Sequence, residues 1–157
     1  MNSLMSHAAL LVACATLMAC AAHERSPQGC GARNPLVGTW RIVSFEDRAS
    51  PLDAWVTGFG GRPTGYLTYT SACTMAFQAG GPLRHADGLV GSDPAAGYAA
   101  YFGTYRINAG DGMVTHHVQG ALQPMPDSEP RPFVLNGDTL VLGDGRTWRR
   151  TFVRIRQ

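Results

Sequence analysis

The carboxyl-terminal stretch FVLNGDTLVLGDGRTWRRTFVRIRQ constrains the fold most strongly, because two tight turns divide it into short runs rich in Val, Leu and Phe. The pairs Asn136-Gly137 and Asp144-Gly145 lie between these runs. Such pairs adopt the positive φ angles of hairpin turns and are among the strongest local signals for a β-hairpin. The stretch therefore predicts three successive antiparallel strands.

Short β-prone runs and turns continue through the rest of the chain. LVGTWRIVSFED alternates between two faces, with Trp40 and Ile42 on one and Val43 and Phe45 on the other. YLTYTSACTMAFQ predicts two short strands, and GYAAYFGTYRIN and GMVTHHVQGA predict a hairpin around AGDG.

Two segments are expected to depart from this pattern. The alanine-rich residues 95–100 could begin as a helix before the next strand starts. Residues 122–132, LQPMPDSEPRP, hold four prolines and are expected to form a loop.

The predicted fold is all-β, a single up-and-down antiparallel β-barrel of about eight strands. No long amphipathic segment separates the strands, which excludes parallel βαβ units. Closure into a barrel removes the free edges of the sheet, and a β-sandwich is the main alternative. A barrel of this size is either filled by side chains or holds one small ligand.

The amino-terminal residues 1–19 are interpreted as a lipoprotein-type signal peptide. The apolar run ALLVACATLMACAA is too short to span a bilayer comfortably. LMAC, ending at Cys20, resembles the lipobox of bacterial lipoproteins; LVAC, ending at Cys14, is the alternative, and an ordinary signal peptide with an incidental cysteine remains open. Lipid on Cys20 would anchor the protein without a membrane-spanning segment.

The mature chain is then divided into a flexible tether, residues 20–35, and a barrel domain, residues 36–157. We expect it in the bacterial cell envelope, in the outer membrane and facing the periplasm if the cell has two membranes.

Two cysteines, Cys30 and Cys73, remain in the mature chain besides the lipidated one. Export would place them in an oxidising compartment, where a disulfide can persist. Such a bridge would tie the tether to a hairpin tip. Two free thiols are the alternative.

Charge and residue types exclude several functions. The net charge is +2 and no basic run occurs, so nucleic acid is not an expected partner. All thirteen basic residues are arginine, which excludes a lysine Schiff base. No His or Cys spacing matches a zinc site, and we predict no metal and no cofactor, although His116 could in principle be an axial haem ligand.

A candidate ligand site is predicted on two neighbouring strands. His116 and its neighbour in sequence point to opposite faces of a strand, and the more apolar face carries Val114, His116 and Val118. Tyr101 and Tyr105 share a face of the preceding strand. An apolar wall with a few polar groups is typical of a small-molecule site. Alternatively, these Tyr and His side chains only hydrogen-bond to one another inside a filled core.

The blocks of this sequence resemble the bacterial lipocalin-like domain family of the calycin superfamily. LVGTWRIVSF carries the Gly-x-Trp motif at Gly38 and Trp40, and GRPTGYLTYT, TMAF, GYAAYFGTYRI, VTHHVQGAL, LNGDTLVL and FVRI follow in the family's order. The resemblance implies a lipocalin-type barrel in which Trp40 closes one end and an arginine of the last strand packs over it. Arg154 matches best and Arg150 is the alternative.

The sequence departs from the family pattern at two corners. QPMP stands where typical members have FPNW, and Ser71-Ala72-Cys73 stands where an Asp-Gly pair is usual. The first departure changes one mouth of the barrel, so the resemblance implies a fold more firmly than a ligand.

The leading hypothesis is a monomeric, lipid-anchored protein that binds a small lipophilic molecule inside the barrel and is not an enzyme. A second hypothesis is an isomerase or cyclase-type enzyme, with His116 as general base and Tyr101 or Tyr105 as acid or oxyanion donor. A third is an interaction or inhibitor module that uses the barrel loops, above all residues 123–132.

Overall fold

A computed structural model of the protein describes residues 29–31, 33–81 and 97–156. The predicted signal peptide, Cys14, Cys20 and the first part of the predicted tether lie outside these residues. The strands are β1 (Gly38–Asp47), β2 (Val56–Thr57), β3 (Thr64–Tyr69), β4 (Thr74–Gly80), β5 (Tyr98–Asn108), β6 (Met113–Ala121), β7 (Ser128–Asn136), β8 (Thr139–Leu142) and β9 (Trp148–Arg154).

The sheet closes on itself into an antiparallel barrel. Strands β1 and β3 to β9 neighbour one another in chain order, and β9 pairs back onto β1, with Arg154 opposite Trp40 and Trp148 opposite Asp47. The two-residue strand β2 adds to the end of β1. The predicted up-and-down barrel of eight strands is confirmed, and the sandwich alternative is wrong.

Turn residues join the strands as the sequence predicts. Gly137, with φ 57°, lies in the turn between β7 and β8, and a short 3-10 turn, Ala109–Asp111, joins β5 to β6. The suggestion of a helix within residues 95–100 is wrong for the part of this segment that the structure describes. There β5 begins at Tyr98, which pairs with Gly80 of β4. The hydrogen bonds of this ladder outweigh the modest helix preference of alanine.

A β-bulge in β1 changes the orientation that simple alternation predicts. The register against β9 shifts between Ile42 and Ser44, so that Val43 is the extra residue. A bulge interrupts the alternation of faces. Phe45, predicted on the face opposite Ile42, therefore lies in the interior, where it packs against the core.

The proline-rich segment is not the continuous loop that its composition predicts. β7 starts at Ser128 and includes Pro130 and Pro132, which pair with β6. The backbone N–H of Phe133 donates to the Gly112 carbonyl beside β6. Backbone N–H groups alternate in direction along a strand, so the nitrogens of Pro130 and Pro132 point away from β6. The β8 ladder begins only at Phe133, so this side of β7 needs no N–H from either proline.

One end of the barrel is closed by the tryptophan of the first strand. Trp40 is fully buried, and its indole N–H donates to the Leu36 carbonyl at 2.8 Å. The guanidinium of Arg154 lies 4.0 Å from the Trp40 ring centroid and donates to the Val37 carbonyl at 2.8 Å. Gly38 has φ 137°, and a Cβ there would approach the Arg154 guanidinium to 2.9 Å. These residues occupy the positions that the family resemblance implied for closure.

The chain just before the barrel is fixed against the same end. Cys30 is disulfide-bonded to Cys73, with 5.1 Å between their Cα atoms. The Asn34 amide donates to the Tyr105 hydroxyl at 3.0 Å, and its carbonyl oxygen accepts the backbone N–H of Leu36 at 2.9 Å. The packed part of the protein thus begins within the last residues of the predicted tether.

Cys73 also has an unusual backbone conformation. Its φ is 64°, and its N–H donates to Thr70 across the β3–β4 turn. A left-handed third residue in a three-residue hairpin loop is usually glycine, because a Cβ there costs about 1–2 kcal/mol. The disulfide therefore requires a cysteine at a backbone position that favours glycine.

We expect the disulfide to stabilise the oxidised protein by about 3–4 kcal/mol, because it closes a loop of 43 residues in the unfolded chain. The double variant C30S/C73S should unfold at correspondingly lower denaturant concentration. C30S/C73G should recover about 1 kcal/mol of that loss, since glycine tolerates the φ of this turn. Denaturant unfolding with and without reductant measures both effects; equal midpoints for oxidised and reduced wild-type protein would contradict the expectation.

Candidate functional site

The predicted site residue His116 lies in the centre of a hydrogen-bonded aromatic cluster. Its side chain is fully buried. Its Nε2 lies 2.6 Å from the Tyr69 hydroxyl and its Nδ1 lies 3.1 Å from the Tyr101 hydroxyl. A neutral imidazole has one donor and one acceptor nitrogen, so one tyrosine donates to the ring and the other accepts from it. Both ring nitrogens are therefore occupied by protein groups.

The cluster is uncharged at neutral pH. Burial lowers the pKa of His116 well below its usual 6.5, and the nearby Arg131 and His117 charges lower it further. Burial raises the pKa of Tyr101 to about 12 and raises that of Tyr69 well above its usual value. A base must reach its substrate, so this arrangement does not support His116 in the role that the isomerase hypothesis gave it.

The other predicted site residues are divided between two levels of the barrel. The Tyr105 hydroxyl donates to the Thr70 carbonyl at 2.8 Å, at the closed end. Val114 is fully buried and Val118 is half-buried. Of the five residues predicted to bind a ligand, Tyr101 lines the cavity described next, and the other four are not among its described lining residues.

A cavity of about 260 Å³ opens at the barrel end opposite Trp40. Most of its wall is aromatic or aliphatic. The apolar lining residues are Phe45, Leu67, Phe77, Ala99, Met125, Leu142, Trp148 and Phe152.

A few polar side chains complete the wall: Tyr101, Gln123, Glu129, Arg131 and Arg150. The Gln123 amide donates to the Tyr98 carbonyl at the start of β5. Gln123 and Met125 belong to the QPMP segment, so the departure from the family pattern lies at this mouth. An apolar cavity with few polar groups has the makeup of a small-molecule site.

Arg131 is the most deeply buried charged group of the cavity, with 8% of its surface exposed. It donates to the Glu129 carboxylate, and its guanidinium carbon lies 5.6 Å from the Tyr101 ring centroid and 5.3 Å from that of Trp148. Its Nε has no hydrogen-bond partner in the described part of the chain.

Arg150 approaches the cavity from β9. Its guanidinium carbon lies 3.3 Å from the Phe45 ring centroid, and its NH2 group donates to Asp47 at 2.8 Å. Its NH1 group donates to the Glu46 carbonyl at 2.6 Å. Burial lowers the pKa of Arg150, and Arg131 adds a smaller effect in the same direction. The family resemblance left Arg150 as the alternative arginine to cover Trp40, but Arg154 is the arginine that lies over this ring.

The connector after β1 is anchored at the rim of the barrel. Trp55 lies between two guanidinium groups, with Arg48 at 4.2 Å and Arg149 at 4.3 Å from its ring centroid. Phe59 packs edge-on against Phe45 at 4.8 Å between centroids. These contacts fix the connector to the rim of the barrel.

Sequence reasoning missed Arg131, Glu129 and Phe45 as site residues. The odd-numbered positions 129, 131, 133 and 135 share the inner face of β7, with Phe133 and Leu135 half-buried. That parity could have located Arg131, had the flanking prolines not indicated a loop. The bulge that turns Phe45 inward has no comparable signal in the sequence.

Neither a metal-binding cluster nor a membrane-spanning helix occurs in the described ranges. Residues 29–31, 33–81 and 97–156 contain no group of three or more His, Cys, Asp or Glu residues placed to hold a metal ion. In the same ranges, no helix is long and apolar enough to cross a membrane.

A closed antiparallel barrel with one sealed end and a partly apolar cavity at the other defines a protein of the lipocalin-like class. Consistent with this, a family model described as the lipocalin-like domain matches residues 37–148. The chain belongs to this family, and such a barrel suggests ligand binding in general. A comparison with curated proteins found no match.

We expect the free energy of unfolding to decrease as the pH is lowered below about 6.5, by up to about 1.4 kcal/mol for each pH unit. In this range the unfolded chain takes up a proton at His116 that the folded chain does not, so acid favours unfolding. Glu46, whose pKa is lowered from 4.5 mainly by its hydrogen bond to Arg149, contributes only at lower pH.

Denaturant unfolding at pH 7.5, 6.5 and 5.5 measures this slope. His116→Gln should reduce it strongly, whereas His117→Gln, on the opposite face of β6, should retain it. A wild-type free energy of unfolding that stays flat across these three pH values would show that the buried imidazole accepts a proton in the folded state.

Proposed function

We propose that this protein binds a small lipophilic molecule in the cavity at the open end of its barrel. The observation that carries the proposal is the cavity itself, about 260 Å³ with a largely aromatic and aliphatic wall. A filled barrel would have packed these side chains against one another, as it does around Trp40 and Leu36 at the closed end. Burial of an apolar ligand against this wall supplies the driving force.

The volume limits the size of the ligand. At the packing density of protein interiors, about 0.74, the cavity has room for about 190 Å³ of ligand van der Waals volume. One or two fused aromatic rings with a short substituent, or a medium-length alkyl chain, fit this volume. Longer ligands would extend through the mouth beside Gln123 and Met125.

A matched pair of alanine substitutions tests the site. Ala99 of β5 lines the cavity, whereas Ala76 of β4 is exposed on the outer surface. Ala99→Phe should fill the cavity and weaken uptake of the neutral fluorophore 1-naphthylamine by at least about ten-fold. Ala76→Phe should bind it as the wild type does. Native mass spectrometry of the chain from residue 21 onward, followed by organic extraction, identifies any ligand retained from cells.

Equal fluorophore uptake by wild type and Ala99→Phe would contradict binding in this cavity. Circular dichroism and denaturant unfolding of both variants show whether the barrel is retained, so that loss of binding is not mistaken for loss of fold.

We further propose that the mature protein is a monomer, exported and held at the bacterial cell envelope by lipid on Cys20. Support comes from the LMAC segment, which ends at Cys20, the first residue of the proposed mature chain. The Cys30–Cys73 disulfide adds support, because such bonds persist in oxidising compartments outside the cytosol. In a cell with two membranes, the residues after Cys20, both alanine, favour the outer membrane.

Expression of the full chain in a bacterium tests the anchor. The wild type should fractionate with membranes, and mass spectrometry of its amino-terminal peptide should show an acylated Cys20. Cys20→Ser should move the protein to the soluble fraction, and Cys14→Ser should leave it membrane-bound. Membrane association of Cys20→Ser with an acylated Cys14 would instead favour the alternative lipobox.

A further inference from the structure

Two guanidinium groups and one carboxylate line the cavity among the residues that the structure describes. They belong to Arg131, Arg150 and Glu129. Asp47, the carboxylate partner of Arg150, is exposed at the rim and does not belong to the described lining. Each of the two guanidinium groups thus has one carboxylate partner, Glu129 for Arg131 and Asp47 for Arg150, and only Glu129 belongs to the described lining.

The unpartnered Nε of Arg131 lies in this same wall. The side chain is nine-tenths buried, and Glu129 accepts from its NH2 group, not from its Nε. A buried donor of a charged group without an acceptor is strongly unfavourable, and such groups are rare in folded proteins. An acceptor supplied by the bound ligand would remove this cost.

The surroundings of the two arginines determine what acceptor fits. The rings of Tyr101 and Trp148 lie near the Arg131 guanidinium, and Phe45 lies against that of Arg150. The remaining wall is apolar, with Phe77 and Phe152 deeper in the barrel. The site thus offers charged donors beside space for an apolar group.

We propose that the cavity selects a lipophilic carboxylic acid, whose carboxylate accepts from Arg131 Nε and lies beside Arg150 while its apolar part contacts Phe77 and Phe152. This inference rests on the proposed ligand-binding function and names the chemical class of the ligand. A carboxylate supplies the charged acceptor that Arg131 Nε lacks among the described residues. Its planar pair of oxygens suits the planar donors of arginine.

Calorimetric titration with two ligands of equal size tests the proposal. Octanoate and octanamide have the same number of non-hydrogen atoms and differ in charge. The purified chain from residue 21 onward should bind octanoate at least about ten-fold more tightly than octanamide at pH 7, because the hydrogen bonds to the carboxylate are charge-assisted. Raising the salt concentration should weaken octanoate binding more than octanamide binding.

Three variants locate the effect. Arg131→Gln should lower octanoate affinity at least about ten-fold and change octanamide affinity less than about three-fold. Arg106→Gln, the same change of charge on the exposed outer face of β5, should alter neither affinity appreciably. Glu129→Gln removes the carboxylate that competes for Arg131, so it should strengthen octanoate binding and leave octanamide binding unchanged. This third variant tests the proposal even if Arg131→Gln does not fold.

The outcomes separate the two proposals. Equal or tighter binding of octanamide, or octanoate affinity that is indifferent to both Arg131→Gln and Glu129→Gln, would overturn selection of an acid while ligand binding in the barrel stands. Absence of binding by octanoate, octanamide and 1-naphthylamine alike would overturn both.

Discussion

The pairing of β9 with β1 is the constraint on which the rest of the structure depends. It turns a meander of short strands into a barrel in which every barrel strand pairs on both sides. Without it, backbone groups along both strands would face water and the sheet would have two free edges. The pairing of β9 with β1 also forms the closed end, because Arg154 lies opposite Trp40 in the ladder and covers its ring. The same arginine donates to the Val37 carbonyl, so one residue takes part both in closing the sheet and in sealing its end.

The buried polar side chains described in the core of this barrel have hydrogen-bond partners, whereas one at its open end has a donor that lacks a partner in the described part of the chain. In the core, both nitrogens of His116 meet tyrosine hydroxyls, and Tyr105 meets Asn34 and the Thr70 carbonyl. A satisfied network of this kind fixes a core in one arrangement. At the open end, Arg131 is almost as buried but keeps a donor without a partner among the described residues. Residue type alone would have favoured His116 as the functional group, whereas the state of the hydrogen bonds favours the arginine.

The sequence was sufficient for the fold because turn chemistry and strand alternation are local properties. It was insufficient for the site because three decisive features are not local. The bulge at Val43 depends on the register with β9, and Pro130 is accommodated because the β8 ladder starts farther along β7. These two features bring Phe45 and Arg131 into the cavity. Alternation also predicts the face of a residue but not its depth along the barrel axis, so His116 was correctly expected to face inward and lies below the cavity.

The exclusive use of arginine among the thirteen basic residues has a physical counterpart in this barrel. A guanidinium is planar and weakly hydrated, so its face can lie on an aromatic ring while its N–H groups donate in the plane. Arg154 does both at the closed end, over Trp40 and towards the Val37 carbonyl. Arg131 has aromatic rings nearby in the cavity but lacks the complete set of in-plane acceptors. A lysine there would keep the charge and lose the fixed Nε direction, so the geometry of an acceptor, and not only its charge, would determine what the cavity holds.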